Sequence, residues 1–234
     1  MKRNVVAIIP ARSGSKSVKD KNIKILGKIP LIAWSINLCK KSKLITKIVV
    51  STDSKKYANI AKKFGASDVI LRPKNISQDK STDYELIDHV IKYLKFKNYN
   101  YIALIRPTTP LRKVKIVDKA LKFFIKSKYN SLRSIHQNPE TSYKTLEISS
   151  KNFLKPLKGS NLSLDDLNKP KEFFRKTYIP NGYIDIFKKN FILKNKKLLG
   201  NKVYGFITEN VTEVDSLKEY EFLKYQVKNK KYLR

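Results

Sequence analysis

The sequence predicts an α/β fold with a doubly wound, mainly parallel sheet. Two observations carry this. Short apolar runs rich in β-branched residues alternate with segments whose apolar residues recur at helical spacing. Such alternation implies parallel strands joined by right-handed crossovers. A third observation, the length of 234 residues, allows one domain with a small inserted subdomain.

Taken in order, the expected strands are 4–10, 46–51, 68–71, 101–105 and 131–136. Between them, 31–42, 55–64, 83–95 and 114–127 read as helices. Ile32, Ser35, Ile36 and Cys39 share one helical face, and Ile87, Val90, Ile91 and Leu94 share another. The rhythm weakens over 138–178, a polar stretch with Pro139, Pro156 and Pro170 in which a strand could run through 143–148. That stretch reads either as a disordered linker or as an inserted unit. Order returns at 182–187, at a strand over 202–207 and at an amphipathic helix from 217. The basic tail beyond it is expected to fray.

Chemistry is concentrated in VVAIIPARSGSKSVKDKN, residues 5–22. A buried parallel strand breaks at Pro10 into a loop, and ligands of open α/β sheets bind at that carboxyl end. Small residues allow close backbone approach to phosphates, while Arg12, Lys16, Lys19 and Lys21 supply cationic donors. The loop is neither a Walker-type phosphate loop nor a dinucleotide fingerprint, because Gly14 is its only glycine. A solvated basic surface turn has the same composition; the position directly after a buried strand favours a polyphosphate.

Ile9-Pro-Ala-Arg-Ser-Gly-Ser-Lys16, followed by Lys21-Asn22-Ile23, resembles the signature of the acylneuraminate cytidylyltransferases, the CMP-sialic acid synthetases. The family pattern is approximately I-P-A-R-x-G-S-K-G-[IL]-P-x-K-N. Ser17 and Lys19 depart from it, standing where Gly and Pro are usual. The resemblance implies a nucleotidyltransferase-like, Rossmann-type single domain over 1–234. Within it, 138–178 would be an inserted arm that exchanges between subunits of a homodimer. It also implies that CMP passes from CTP to a sialic acid or related nonulosonic acid with release of pyrophosphate. The same fold with a Kdo-like or other sugar, or with another nucleotide, is the alternative reading.

The resemblance assigns residues as follows. Ala11, Arg12, Ser15, Lys16, Lys21 and Asn22 would meet the nucleotide, with Arg12 and Lys21 nearest the developing charge. Arg72 and Ser81 would read the cytosine, whose O2 acceptor and exocyclic amine need donor and acceptor groups. Ser81 or Thr82 is also a natural N-cap, since Glu85 completes a capping box with Thr82. Arg106-Pro-Thr-Thr-Pro-Leu-Arg112 resembles the family's [QR]-P-T-[ST]-P-L-R, so Arg106, Thr108, Thr109 and Arg112 would meet the acidic sugar. A purely structural turn is the other reading of this loop. Pro180-Asn181-Gly182 resembles the family's P-N-G and adds Asn181 and Tyr183 to the sugar pocket. Here the usual Arg before this Pro is Ile179, and the usual Ala-Ile-Tyr after Gly is Tyr183-Ile184-Asp185. Arg175 or Arg106 could replace the missing cation.

Glu213-Val-Asp215-Ser216 resembles the family's D-[IV]-D-[ST], with Glu in place of the usual first Asp. Two carboxylates one residue apart in an extended segment point the same way, and hard oxygen ligands suit Mg²⁺ or Mn²⁺. Asp215 with Ser216 could instead cap the last helix. Asp53, at the end of the second strand, could meet a ribose or a metal, or cap the helix beginning near Ser54. His89 and His136 carry no catalytic pattern, Trp34 reads as core, and no nucleophile with a partnering base stands out.

The formal charge of +32 suggests nucleic acid. The lysines, however, are spread over nearly every segment, with no confined stripe, zinc pattern or nucleic-acid motif. A non-catalytic basic nucleic-acid-binding protein is therefore the minor alternative, and no nucleic-acid partner is expected. No apolar run of membrane-spanning length occurs and no signal peptide opens the chain, so no membrane partner is expected. The lone Cys39 cannot form an internal disulfide, which fits a cytoplasmic protein.

Overall fold

The computed structural model describes residues 4–95, 99–157 and 161–229. The fraying expected at the basic tail falls largely on 230–234, outside the described residues. A seven-stranded sheet forms the centre, with strand order β11-β7-β10-β6-β1-β4-β5. Its members are β1 (Val5–Pro10), β4 (Ile45–Thr52), β5 (Asp68–Leu71), β6 (Tyr101–Leu104), β7 (Ser131–Gln137), β10 (Tyr178–Lys188) and β11 (Val203–Ile207). All pair in parallel except β10, which runs antiparallel to both β6 and β7. The doubly wound, mainly parallel sheet expected from the β-α rhythm is thus present.

Both sheet faces are covered, which explains why β1 is a continuous apolar run. On one face pack α1 (Leu31–Lys41), α2 (Lys55–Lys63) and α4 (Val114–Lys126). They bury Ile32, Ile36 and Cys39, then Tyr57 and Ala61, then Val117, Leu121 and Phe124 against Val5, Ala7 and Ile9. On the other face α3 (Asp83–Tyr93) brings Leu86, Ile87, Val90 and Ile91 onto Val6 and Ile8. Helix α6 (Leu217–Lys228) seals a third cluster, placing Tyr220 and Leu223 with Val18, Leu26, Leu31 and Val214. The middle of the 11–22 loop is therefore anchored through buried Val18 and is not a free turn.

Two elements escape the sequence pattern. A hairpin of β2 (Ile25–Leu26) and β3 (Ile29–Pro30) turns at Gly27, whose φ is 64°. Two residues per strand are too few to show a period. Helix α5 (Lys189–Asn195) buries only Ile192, so no apolar stripe marks it. Within 138–178, a 3-10 turn at Ser142–Lys144 precedes a small hairpin of β8 (Leu146–Ile148) and β9 (Leu154–Pro156), so the possible strand at 143–148 begins later. Ile148, Phe153 and Phe173 of this region are 69, 66 and 75 % exposed.

Strand order decides where a ligand can sit. The chain moves outward from β1 to β4 and β5, then returns to place β6 on the other side of β1. That reversal opens a crevice beyond the carboxyl ends of β1 and β6.

Candidate active site

A cleft of about 550 Å³ occupies this crevice. The loops after β1 and β6, the segment leading into α3, and Asp215 line it. Of the nucleotide-site residues expected from sequence, Arg12, Ser15, Lys16, Lys21, Asn22, Arg72 and Ser81 face the cleft. Ala11 lies beneath it, fully buried, with its N–H donating to the Ser51 carbonyl at 2.9 Å.

The first loop is held in shape by side chains distant in sequence. Ser13 donates from its N–H (2.8 Å) and its hydroxyl (3.0 Å) to the Asp53 carboxylate. Asp53 does not line the cleft, and the helix cap that its position suggested falls to Ser54, which accepts from the Tyr57 N–H. Asn22 donates to the Arg12 carbonyl at 2.8 Å and closes the loop on itself. Asp20 sits at φ 55° and accepts from the Tyr57 hydroxyl and from Lys56. Those partners lower the Asp20 pKa, while burial, then Asp20, raises that of Tyr57. Neither Asp53 nor Asp20 carried a loop-holding signal in the sequence, because the signal is contact across 40 and 37 positions.

The cations of the cleft are paired with carboxylates. Arg12 Nη1 and Lys16 Nζ lie 2.8 and 2.7 Å from the two oxygens of Asp79. Lys21 Nζ donates to the Val214 carbonyl (2.8 Å) and to Asp215 (3.1 Å). Arg72 differs: it is 8 % exposed, meets no carboxylate in a salt bridge among the described residues, and has no partner for its Nε. The contact of its guanidinium Nη2 with the Ser51 carbonyl is long at 3.5 Å. Burial lowers its pKa, with Asp53 acting in the opposite sense. A buried donor left unsatisfied at the edge of a cleft calls for a polar ligand. Thr82, not Ser81, caps α3 in a capping box with Glu85, which leaves Ser81 facing the cleft.

The residues expected at the sugar site divide. Arg106 and Thr108 line the cleft, whereas Thr109, Arg112, Asn181 and Tyr183 are buried and do not line it. Arg112 donates to the carbonyls of Tyr183 (2.6 Å), Arg106 (2.7 Å) and Gly182 (2.9 Å), tying the 106–112 loop to β10. Burial brings its pKa down to about 10. Tyr183 accepts from the Lys113 N–H, and Asn181 donates to the Thr208 hydroxyl. Between Pro180 and Asp185, β10 loses register with β7 and bulges. Gly182 stands in that bulge at φ 63°; a Cβ there would lie 3.0 Å from Thr109 Oγ1 and 3.4 Å from Glu213. Arg106 does not present a free guanidinium, since Asp83 (2.6 Å) and Asp185 (2.9 Å) both accept from it. Arg175 is exposed and does not line the cleft.

Asp215 and Glu213 face different partners. Asp215 is 69 % exposed on its side chain and points at Lys21. Glu213 accepts from the Thr108 hydroxyl at 2.9 Å. Of the two residues in the capping alternative, Ser216 caps α6 in a capping box with Glu219, and Asp215 joins it only through its N–H, which donates to Glu219. Among the described residues, no cluster of three or more His, Cys, Asp or Glu side chains could hold a metal by itself. No helix among them is long and apolar enough to cross a membrane.

Residues 6–228 match the family model described as cytidylyltransferase. The chain belongs to the cytidylyltransferase family. This family member is 33 % identical over 220 residues to an N-acylneuraminate cytidylyltransferase of Escherichia coli O18:K1:H7, covering 92 % of the chain and 49 % of that relative. It thus spans about half the length of the E. coli protein. It is 28 % identical to the post-translational flagellin modification protein B of Campylobacter coli, over 97 % of the chain and 96 % of the relative. A CMP-N,N'-diacetyllegionaminic acid synthase of Legionella pneumophila shares 38 % identity over half of each chain. Among solved structures, a CMP:2-keto-3-deoxy-manno-octonic acid synthetase complexed with CTP superposes with TM-score 0.70 at 12 % identity. It covers 97 % of this cytidylyltransferase-family chain and 99 % of its own, a likeness of fold.

Proposed function

We propose that this protein transfers CMP from CTP to a sialic acid or related nonulosonic acid, releasing pyrophosphate. One observation carries the reading: Arg12, Lys16 and Lys21 converge with the buried, under-partnered Arg72 on one cleft at the sheet's reversal point. Three cations suit a triphosphate, and a donor buried beside them suits a base. The relatives named for acylneuraminate and legionaminic acid chemistry support the acceptor class.

In the reaction, the anomeric hydroxyl of the acceptor attacks the α-phosphorus and loses its proton as the P–O bond to pyrophosphate breaks. The protein positions the partners and neutralises charge. Arg12 and Lys21 act at the developing charge, and Lys16 holds the outer phosphates. Asn22 keeps the loop backbone in place through the Arg12 carbonyl. Thr109, Arg112, Asn181 and Tyr183 act as positioning residues behind the sugar loop.

A divalent cation fits the cleft in one specific sense. Mg²⁺ is held by one or two carboxylates together with substrate phosphates, and the exposed Asp215 supplies one such ligand, with Glu213 next in line. Mg²⁺, or Mn²⁺, would there neutralise phosphate charge and lower the acceptor hydroxyl's proton affinity.

A homodimer through the 138–178 arm is part of the proposal. The exposed Ile148, Phe153 and Phe173 there form the kind of apolar surface that a partner subunit covers. A cytoplasmic setting fits the lone buried Cys39. A second reading, the same transfer to another sugar acid, is favoured by Ile179 and by the engagement of Arg106 with two aspartates.

The test is a pyrophosphate-release screen of all four ribonucleoside triphosphates against several ulosonic acids with Mg²⁺. Release with CTP and a nonulosonic acid alone is expected. Release with a different nucleotide, or none with CTP, would discard the reading.

A further inference from the structure

We propose that Asp79 is a displaceable counter-anion of the phosphate site, setting how tightly polyphosphates bind and how readily pyrophosphate departs. This rests on the reading of the 11–22 loop as a triphosphate cradle. Asp79 bridges the loop's two outer cations with one oxygen each, Oδ1 to Arg12 Nη1 at 2.8 Å and Oδ2 to Lys16 Nζ at 2.7 Å. Two oxygens of one phosphate would engage the same pair in the same way.

The partners of Asp79 separate it from the carboxylates that hold the loop in shape. Asp53 takes a backbone N–H and a hydroxyl from Ser13, and Asp20 takes the Tyr57 hydroxyl. The hydrogen bonds and ion pairs described for Asp79 are to cations alone. A polyanion can therefore replace it without stranding a neutral donor. Its segment is built independently of its side chain: Ser77 donates to the Pro73 carbonyl, and the Gln78 N–H donates to Ser81 Oγ. Thr82 and Glu85 then start α3. Loss of the Asp79 contacts leaves these bonds intact.

Geometry implies competition. A triphosphate must displace Asp79 from Arg12 and Lys16, which its greater charge favours. After transfer, Asp79 competes with the smaller pyrophosphate for the same cations and favours its departure. Exposed ion pairs are individually weak, so the effect on affinity is a few-fold, on the order of 3- to 10-fold. It diminishes as salt screens both competitors.

The experiment titrates inorganic pyrophosphate and tripolyphosphate calorimetrically into the full chain, without metal and then with Mg²⁺. The proteins are wild type, Asp79→Asn, Asp79→Ala, Arg12→Ala, Lys16→Ala and the Lys16→Ala/Asp79→Asn double variant. Asp79→Asn and Asp79→Ala are expected to bind pyrophosphate about 3- to 10-fold more tightly. The gain should shrink when Lys16 is absent and at high salt. Unchanged or weaker binding by both Asp79 variants, while Arg12→Ala still weakens binding, overturns the inference alone. Weaker binding of the Asp79 variants only with Mg²⁺ would make Asp79 a metal ligand and also overturns it. If Arg12→Ala and Lys16→Ala leave binding unaltered, the phosphate cradle itself fails and this inference falls with it.

Discussion

Arg106 Nη1 lies 2.9 Å from Asp185 Oδ2, a pair formed across 79 positions of the sequence. The two side chains neutralise each other, with Asp83 and Arg133 extending the pair into an alternating row. Burial opposes the charge on Arg106, yet Asp185 and Asp83 more than offset it and raise its pKa.

Arg106→Gln should therefore destabilise the fold, because Asp185 has only 3 % of its side chain exposed. Breaking a buried pair costs about 3–5 kcal/mol, but Arg133 remains on Asp185, so about 1–3 kcal/mol is expected. Adding Asp185→Asn should recover part of the loss. Urea denaturation of the wild type and these two variants checks this; equal midpoints would show that the pair carries no stability.

Arg12→Ala should lower turnover by about 10²- to 10³-fold, as removal of a charge-stabilising donor does. The Arg12 side chain is partly exposed and, among the described residues, its ion pair is with Asp79, so the fold should persist. Pyrophosphate release and a thermal melt report the two effects separately. Near-normal turnover would take Arg12 out of the site.

Asp215→Ala should raise the Mg²⁺ concentration needed for half-maximal rate by roughly tenfold or more, since one carboxylate of the proposed two-carboxylate site is lost. A Mg²⁺ titration of initial rates decides. An unchanged curve would leave Asp215 as a partner of Lys21 alone.

Two glycines should respond differently to alanine. At Gly182, with φ 63° and Thr109 Oγ1 3.0 Å from an added Cβ, the change should cost about 1–2 kcal/mol. At Gly14 an added Cβ meets nothing within 4 Å, so stability should hold. A loss of turnover in Gly14→Ala without loss of stability would mark close approach of phosphate to that backbone. Unaltered turnover would argue against it.

His89 supplies a pH test. Burial, then the charge of Arg72, lowers its pKa from 6.5. The folded state consequently binds fewer protons than the unfolded chain on the acid side of that value. Stability should fall as pH drops below about 6.5 and level off beneath the lowered pKa. His89→Gln should flatten that part of a stability–pH profile measured by denaturant midpoint. An identical slope in the variant would show that His89 does not contribute.

The loop after β1 was legible in the sequence because strand and loop are contiguous: the apolar run 5–10 sets the strand, and the cations follow within a dozen residues. The helices over 31–41, 55–63, 83–93 and 114–126 were legible for the same reason, each showing its buried face in local spacing. Thr109, Arg112, Asn181 and Tyr183 show the limit of that reading. Their motifs placed them at or beside the 106–112 loop, but not on which side of it they face, and packing turned them inward.

Sequence alone determined the parallel α/β frame, its order of strands and helices along the chain, and the cationic segment at the first strand's carboxyl end. These follow from short-range periodicity and residue type. Tertiary structure alone decided the counter-charges: Asp79 on Arg12 across 67 positions, Asp185 on Arg106 across 79, and Asp215 on Lys21 across 194. Which charges meet depends on which loops the strand order brings to one edge of the sheet, and that order is set by packing of the whole core.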